Sequence, residues 1–477
     1  MSLQTQNLTA KQKALAINLD PNIYGTFSEI GAGQETVRHF FRAGAASQTI
    51  AKAMSAYDKD FSDAIYGKEP KNRYVTQNRL RKMLRFEASL IEVRVPTDKM
   101  PERKYFSYAN TVTTINYAKT VLGHGWVGIR FQTEPGKEYN EIVLHIKFKQ
   151  NDATLQQETL GKLGVNLIYG AFNYYDNPRK LIQSLYDHIP KDSLEIDMID
   201  FSGPDFIYVD NRLMSLQLVK NGMTEAVIFT PEGANMLPAD LLYKKNIFAV
   251  RGSFRPVTLV NIDMFNNGLE MFLKDTECDE NEVEVLFEIT ISNLMASGDI
   301  DERDFLDRVD IIGKLGYNVI ISNFSEYYKL TEYFSGYSKL KIGVAMGVNN
   351  LIEVFNEGYY TNLSGGILEA FGKLFRREVT IYLYPYQTPD SEEILTSENL
   401  KVNENLKELY KYFKLNRRIV DILNHNSDYS TIYSRDILRK IANNETGSWE
   451  NSLPEGIADL IKERRMFGYS QVNFCEI

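Results

Sequence analysis

The sequence predicts an α/β protein: parallel sheets of Rossmann-like βα units, with a helical N-terminal region and a helical C-terminal extension. Three observations predict it. From about residue 141 to residue 385, short apolar runs alternate with amphipathic stretches. The apolar runs are continuous, as in strands covered by helices on both faces. Gly, Asn or Pro punctuates most of the intervening helices. A single TIM-like barrel is the alternative, because the number of strands allows it. No internal sequence repeat accompanies the pattern.

Residues 1–120 read as the helical N-terminal region. Helices are expected at 10–19, stopped by Asp20-Pro21, and at 35–41, 45–56 and 77–93. In the last of these, Leu80, Met83, Leu84, Leu90 and Ile91 recur at helical spacing. Arg79, Arg81, Lys82 and Arg85 form a basic cluster on it, expected on a solvated face. Gly31-Ala32-Gly33 precedes a helix and could cradle a phosphate, but no strand is evident ahead of it. Residues 121–275 read as a first α/β domain. It opens with a hairpin, 126–132 and 141–149, around the turn Glu134-Pro135-Gly136-Lys137. His124, between two glycines, reads as a loop residue, with an acid–base role as the minority reading. Strands follow at 143–148, 165–172, 194–201, 226–230 and 247–250, and helices at 153–163, 178–189, 211–220, 238–245 and 260–274.

Residues 280–385 read as a second α/β unit. Its strands are expected at 282–291, 318–322, 340–346 and 379–384, and its helices at 304–315, 324–334, 349–355 and 367–375. Residues 385–399 are polar and acidic and read as a linker. Residues 390–477 form the C-terminal extension, with helices at 400–423, 435–442 and 454–465 and a tail, 468–477, that either docks or stays disordered.

Composition bounds the function. The chain has 477 residues, 43% of them hydrophobic and 25% charged, enough for two or three domains with a large core. A net charge of −9 argues against nucleic acid as a partner. The two cysteines, Cys278 and Cys475, exclude a disulfide framework and a cysteine-rich zinc site, and suit a reducing compartment. The five histidines are scattered with no ligand spacing, so no metal site is expected. No signal peptide and no membrane-length apolar stretch is visible, so a cytoplasmic protein with no membrane partner is expected.

The stretch from Ile247 to Asp263 carries the functional argument. A short apolar strand runs into Gly252-Ser253, then Pro256, then a helix with Thr258 as its N-cap. A strand, a glycine turn and a helix start make an anion site, because the free N–H groups of the first turn point at the loop. Arg251 and Arg255 could grip a phosphate there; either could instead pair with an acid such as Asp263. Ligands of parallel sheets sit at the carboxyl ends of strands. That rule adds the loops at Ser202–Asp205, Pro231–Gly233, Asn323–Ser325 and Gly347. Ser364-Gly365-Gly366 opens a helix and is another possible anion site.

This stretch resembles the signature loop of nucleotidylyltransferases that adenylylate pantetheine phosphate or nicotinate and nicotinamide mononucleotide. Gly252, Ser253, Phe254, Pro256 and Thr258 match it. Arg255 stands for the family's acidic residue, Val260 for its second glycine, and Asn261 for the histidine that contacts the transferring phosphate. The family's second motif has a counterpart only in Ser322, with Lys329 as the nearest cation. The whole chain is similar to a family of bacterial proteins of this length that carry the label nicotinate-nucleotide adenylyltransferase. The resemblance implies a nucleotide-binding protein with a degenerate active site. Arg251, Gly252, Ser253, Arg255 and Ser322 would hold the ligand, Thr258 and Asn261 would occupy the catalytic positions, and ATP with Mg2+ would be the cofactors. The alternative is a non-catalytic scaffold. A homo-oligomer is also expected, with Tyr410, Tyr412, Phe413, Tyr429 and Tyr433 as contact residues; the alternative is that they pack back onto the α/β body of their own chain.

Overall fold

The computed structural model describes residues 7–95, 100–296, 298–376, 378–387, 393–445, 447 and 449–470. The chain forms two compact units, Met1–Glu225 and Ala226–Ile477. That division differs from the expected breaks at residues 120, 275 and 385.

The first unit holds a six-stranded sheet. Its strands are β1 (Ile23–Ile30), β2 (Ile50–Met54), β3 (Lys104–Thr113), β4 (His124–Phe131), β5 (Asn140–Phe148) and β6 (Leu194–Ser202). In space they lie β2-β1-β3-β4-β5-β6. The first three run parallel and the rest form an antiparallel meander. Its helices are α1 (Ala10–Asn18), α2 (Glu35–Ala43), α3 (Lys59–Tyr66), α4 (Gln77–Arg94), α5 (Ala153–Asn173), α6 (Pro178–Ser184) and α7 (Asn211–Lys220). One sheet face buries Phe27, Tyr108, Val127, Ile129, Leu144 and Ile196 with Leu163 and Leu167 of α5. On the other face Leu80 and Leu84 of α4 approach the sheet at Gly128, whose missing side chain makes the room.

Several expectations are corrected here. The N-terminal region is not helical throughout: it supplies three strands, and 50–54, expected as helix, is β2. The run 165–172 is no strand; it continues α5, which passes through Gly164. A Cβ there would stand 2.4 Å from the Thr36 hydroxyl, so glycine permits α2 and α5 to pack closely rather than ending the helix. The meander is antiparallel, so the first unit is a mixed sheet, not a purely parallel one. The basic cluster is solvated only in part: Arg79 is 1% exposed and pairs with Asp63, Arg81 pairs with Glu141 and Asp200, and Arg85 is exposed.

The second unit holds an eight-stranded sheet. In chain order it contains β7 (Ala226–Phe229), β8 (Asn235–Met236), β9 (Asn246–Arg251), β10 (Val283–Thr290), β11 (Asn318–Ser322), β12 (Ile342–Gly347) and β13 (Val379–Tyr384). A separate two-stranded hairpin, β14 (Tyr386–Gln387) with β15 (Ile394–Leu395), follows, then β16 (Ile419–Asp421) returns to the main sheet. Strands β11-β10-β9-β12-β13-β16 are mutually parallel. Their spatial order is third, second, first, fourth, fifth, sixth, the order of the doubly wound dinucleotide-binding fold. Strand β7 adds antiparallel beyond β11, and β8 beyond that, and among the described residues no pairing joins β8 to β16 to close the sheet.

The helices of this unit are α8 (Pro238–Leu242), α9 (Leu259–Thr276), α10 (Ile291–Leu294), α11 (Glu302–Lys314), α12 (Tyr327–Tyr337), α13 (Val348–Val354), α14 (Gly366–Leu374), α15 (Lys407–Leu415), α16 (Ser434–Ala442) and α17 (Ile457–Arg464). One sheet face buries Ile247, Ala249, Val344 and Ile381 against α12, α13 and α14. The other stacks Phe248 on Phe265 and Phe272 of α9. The run 400–423, expected as helix, instead supplies α15 and the edge strand β16. Tyr410 and Phe413 of α15 are buried in the core of their own unit, which removes them as surface contacts; Tyr412 is exposed. Residues 388–392 of the expected linker and 471–477 of the tail, with Cys475, lie outside the described residues. No helix among the described residues is long and apolar enough to cross a membrane.

Candidate functional site

The order of the parallel strands puts β9 and β12 at the point where the winding reverses. Loops leaving these neighbours diverge, and a crevice opens at their carboxyl ends. A cavity of about 690 Å³ lies there. The β9–α9 loop contributes Arg251, Gly252, Ser253 and Asn261. The loop after β11 with the start of α12 gives Ser325, Glu326 and Tyr327, and the end of β12 with the first turn of α13 gives Gly347, Asn349 and Asn350. Tyr384, Tyr386, Gln387 and Tyr433 close another side.

Arg251 is the last residue of β9 and sits in register with Glu288 on β10. Its Nε donates to Glu288 Oε2 at 2.7 Å and its Nη2 to Oε1 at 3.0 Å. Glu288 is fully buried and accepts a third bond, 2.6 Å, from the Ser322 hydroxyl of β11. Burial by itself would lower the Arg251 pKa, but Glu288 raises it above the usual value. The guanidinium lies 4.2 Å from the centre of the Tyr327 ring. Tyr327 is 8% exposed, its hydroxyl has no hydrogen-bond partner among the described residues, and burial pushes its pKa up to about 12. Arg251, Glu288 and Ser322 thus lock three adjacent strands together under the cavity.

The predicted residues therefore separate. Arg251, Gly252, Ser253 and Asn261 line the cavity. Ser322 lies beneath it, bound to Glu288. Thr258 is the N-cap of α9, as expected, but is 1% exposed. Its N–H and hydroxyl both donate to Asn261 Oδ1, at 3.0 and 3.1 Å, so the residue at the family's histidine position closes a capping box. Arg255 turns away to pair with Asp304 of α11, which also holds Arg308. The two arginines expected to grip phosphate are engaged with carboxylates, and neither partner is Asp263, whose carboxylate accepts from Tyr384.

Other predicted anion sites are filled from within. Strand β1 does precede Gly31-Ala32-Gly33, but the Glu29 carboxylate at its end accepts from the N–H groups of Thr36 and Val37 in the first turn of α2. Burial pushes Glu29 up to about 7 against those hydrogen bonds and that of Asn110. Gly365 N–H donates to Glu369 of the same helix. Asp205, of the loop after β6, accepts from Thr133 and Asn140. His124 is not in a loop; it begins β4 and stands 3.4 Å from His145 Nε2, whose Nδ1 meets Asp197 at 2.6 Å.

Sequence reasoning missed the aromatic wall. Tyr327, Tyr359, Tyr360, Tyr384, Tyr386 and Tyr433 all line the cavity. The signal was available in part: Tyr384 ends a predicted strand, and Tyr327 falls in the predicted helix 324–334 that follows another. Arg251 is the one Lys or Arg lining the cavity among the described residues, whereas Glu326 and Glu353 also line it. No cluster of three potential metal ligands occurs among the described residues. The donors present do not suit Mg2+–ATP, whose phosphates need uncompensated cations.

No protein-family model matches the chain, and no curated protein matches it. Solved structures similar to part of it include a competence-damaged protein (CinA) superfamily protein from Enterobacter cloacae, at 13% identity, covering 36% of this chain and 98% of that one with a TM-score of 0.27. Another is the competence/damage inducible protein CihA from Agrobacterium tumefaciens, at 15% identity, covering 36% of this chain and 99% of that one with a TM-score of 0.25. At those TM-scores the likeness carries no argument.

Proposed function

We propose that the second unit binds a nucleoside-class small molecule in the cavity at the carboxyl ends of β9 and β12, without adenylyl transfer. The observation that carries this reading is the place of the tyrosine-lined cavity at the winding reversal of a third-second-first-fourth-fifth-sixth sheet. Tyrosine rings offer faces for a planar base. Asn349, Asn350 and Gln387 supply neutral donors and acceptors for base edges and ribose hydroxyls. Glu326 and Glu353 accept from hydroxyls and disfavour a polyanion. The first turn of α9 leaves a place for one phosphate at most, because Arg251 is already neutralised by Glu288.

Calorimetry of the full chain against adenosine, guanosine, AMP, nicotinate mononucleotide and ATP tests this. A nucleoside should bind with a one-to-one isotherm, its monophosphate comparably, and ATP no more tightly. ATP binding far more tightly than every nucleoside would overturn the reading, since it requires a triphosphate grip.

A further inference from the structure

The first unit has a cavity of its own, about 760 Å³, bounded by the end of α4, the start of β3 and the β4–β5 turn. We propose that it is a binding site for a small oxyanion-bearing molecule, with Arg103, Arg130 and Tyr105 as its donors.

Three residues that line this one cavity each carry a buried polar atom with no hydrogen-bond partner among the described residues: Arg103 Nε, Arg130 Nε and the Tyr105 hydroxyl. Tyr105 is 4% exposed, so an unmet hydroxyl there carries the full cost of burial. Burial raises its pKa, which keeps it a donor. Arg103 has no carboxylate partner among the described residues; its guanidinium lies 4.2 Å from the Tyr24 ring centre, which fixes its plane. Arg130 gives Nη1 to Glu141 at 2.6 Å and lies 4.6 Å from the Tyr139 ring centre, leaving its Nε edge unused. Lys137 adds a third cation, held by Glu134. Glu92 and Glu138 also line the space and would select against a large polyanion.

The scaffold around these donors is firm. Gln132 accepts from Tyr105 N–H at 2.9 Å and donates to Lys137 O at 2.7 Å, pinning the turn to β3. A neutral water would satisfy some of these donors but bring no charge to pair with Arg103. An oxyanion would bring both acceptor oxygens and a charge to pair with Arg103, and a guanidinium edge fits carboxylate or phosphate oxygens. The site is separate from the second-unit cavity, so the two readings fail independently.

The test is calorimetry of the full chain at low ionic strength with inorganic phosphate and, separately, succinate. Wild type should give saturable binding to at least one of them below about 10 mM, the range of a weak specific site. Arg103→Gln and Tyr105→Phe should each weaken it by about tenfold or more, as expected for donors to a charged acceptor. Nucleoside binding should be the same in both variants as in wild type. Tyr105→Phe is nearly isosteric, so its result stands if Arg103→Gln unfolds. Phosphate saturating alone points to a phosphomonoester, succinate alone to a carboxylate. Saturation by neither overturns the site, and so does wild-type binding in Tyr105→Phe.

Discussion

Replacing Arg251 with Met tests whether this arginine anchors the sheet or serves a ligand. Its guanidinium makes two hydrogen bonds to Glu288, 2.7 and 3.0 Å, and Glu288 is fully buried. Removing it leaves a buried carboxylate with the Ser322 hydroxyl as its remaining side-chain donor. Breaking one side of a buried ion pair costs about 3–5 kcal/mol. In a Glu288→Gln background no stranded charge remains, and Arg251→Met should cost only about 1–2 kcal/mol, the scale of lost hydrogen bonds and packing. The two units need separate reporters. Trp126 lies in the first and fully buried Trp449 in the second, and these are the two tryptophans of the chain. Urea unfolding followed by fluorescence in a Trp126→Phe background therefore reads the second unit. A cost for Arg251→Met below about 1 kcal/mol, or one unchanged by Glu288→Gln, would refute the anchoring role.

Four further outcomes follow from the same geometry. Asn261→His, which restores the family histidine, should yield no adenylyl transfer from ATP to nicotinate mononucleotide by chromatography, and should lower stability by about 1 kcal/mol through loss of the cap. Ending the chain at Tyr386 should unfold or aggregate the second unit, visible by circular dichroism, because it removes β16 and the buried Tyr410 and Phe413. Burial alone would raise the Asp197 carboxyl, but His145 and Lys147 hold it below its usual range. Its contribution is then full above the unfolded-state range near pH 4 and fades as pH falls toward the lower folded value, so Asp197→Asn should destabilise the first unit at neutral pH but not in strong acid. Glu29 has the opposite sign: its folded pKa of about 7 lies above the unfolded value, so first-unit stability should fall as pH rises toward 7 and level off above it. That slope should vanish in Glu29→Gln.

The second half of the chain was largely legible in sequence. Strands at 318–322 and 379–384 were bounded by Gly, Asn or charged residues and stand as read. The strand order was not legible, because it depends on long-range pairing that no local pattern encodes. Misreadings fell where local pattern is ambiguous. The apolar run 165–172 is equally consistent with a strand and with a helix buried on most sides, and α5 is the latter. Residues 419–421 are too short a strand to be heard beside the helical run before them. At the site, the position of the β9–α9 loop was legible from its strand–glycine–helix pattern. The engagement of its arginines was not, since Glu288 and Asp304 lie 37 and 49 residues further along the chain.

We propose a second-unit cavity that takes a nucleoside against its tyrosine wall and not a triphosphate on arginines. Calorimetric titration of wild type and Tyr359→Ala with the nucleoside panel and ATP tests this reading. A saturable one-to-one isotherm is expected for at least one nucleoside, weakened in Tyr359→Ala, which removes an exposed ring from the cavity wall. An isotherm for ATP alone, or no heat with any nucleoside at millimolar concentration, would contradict it.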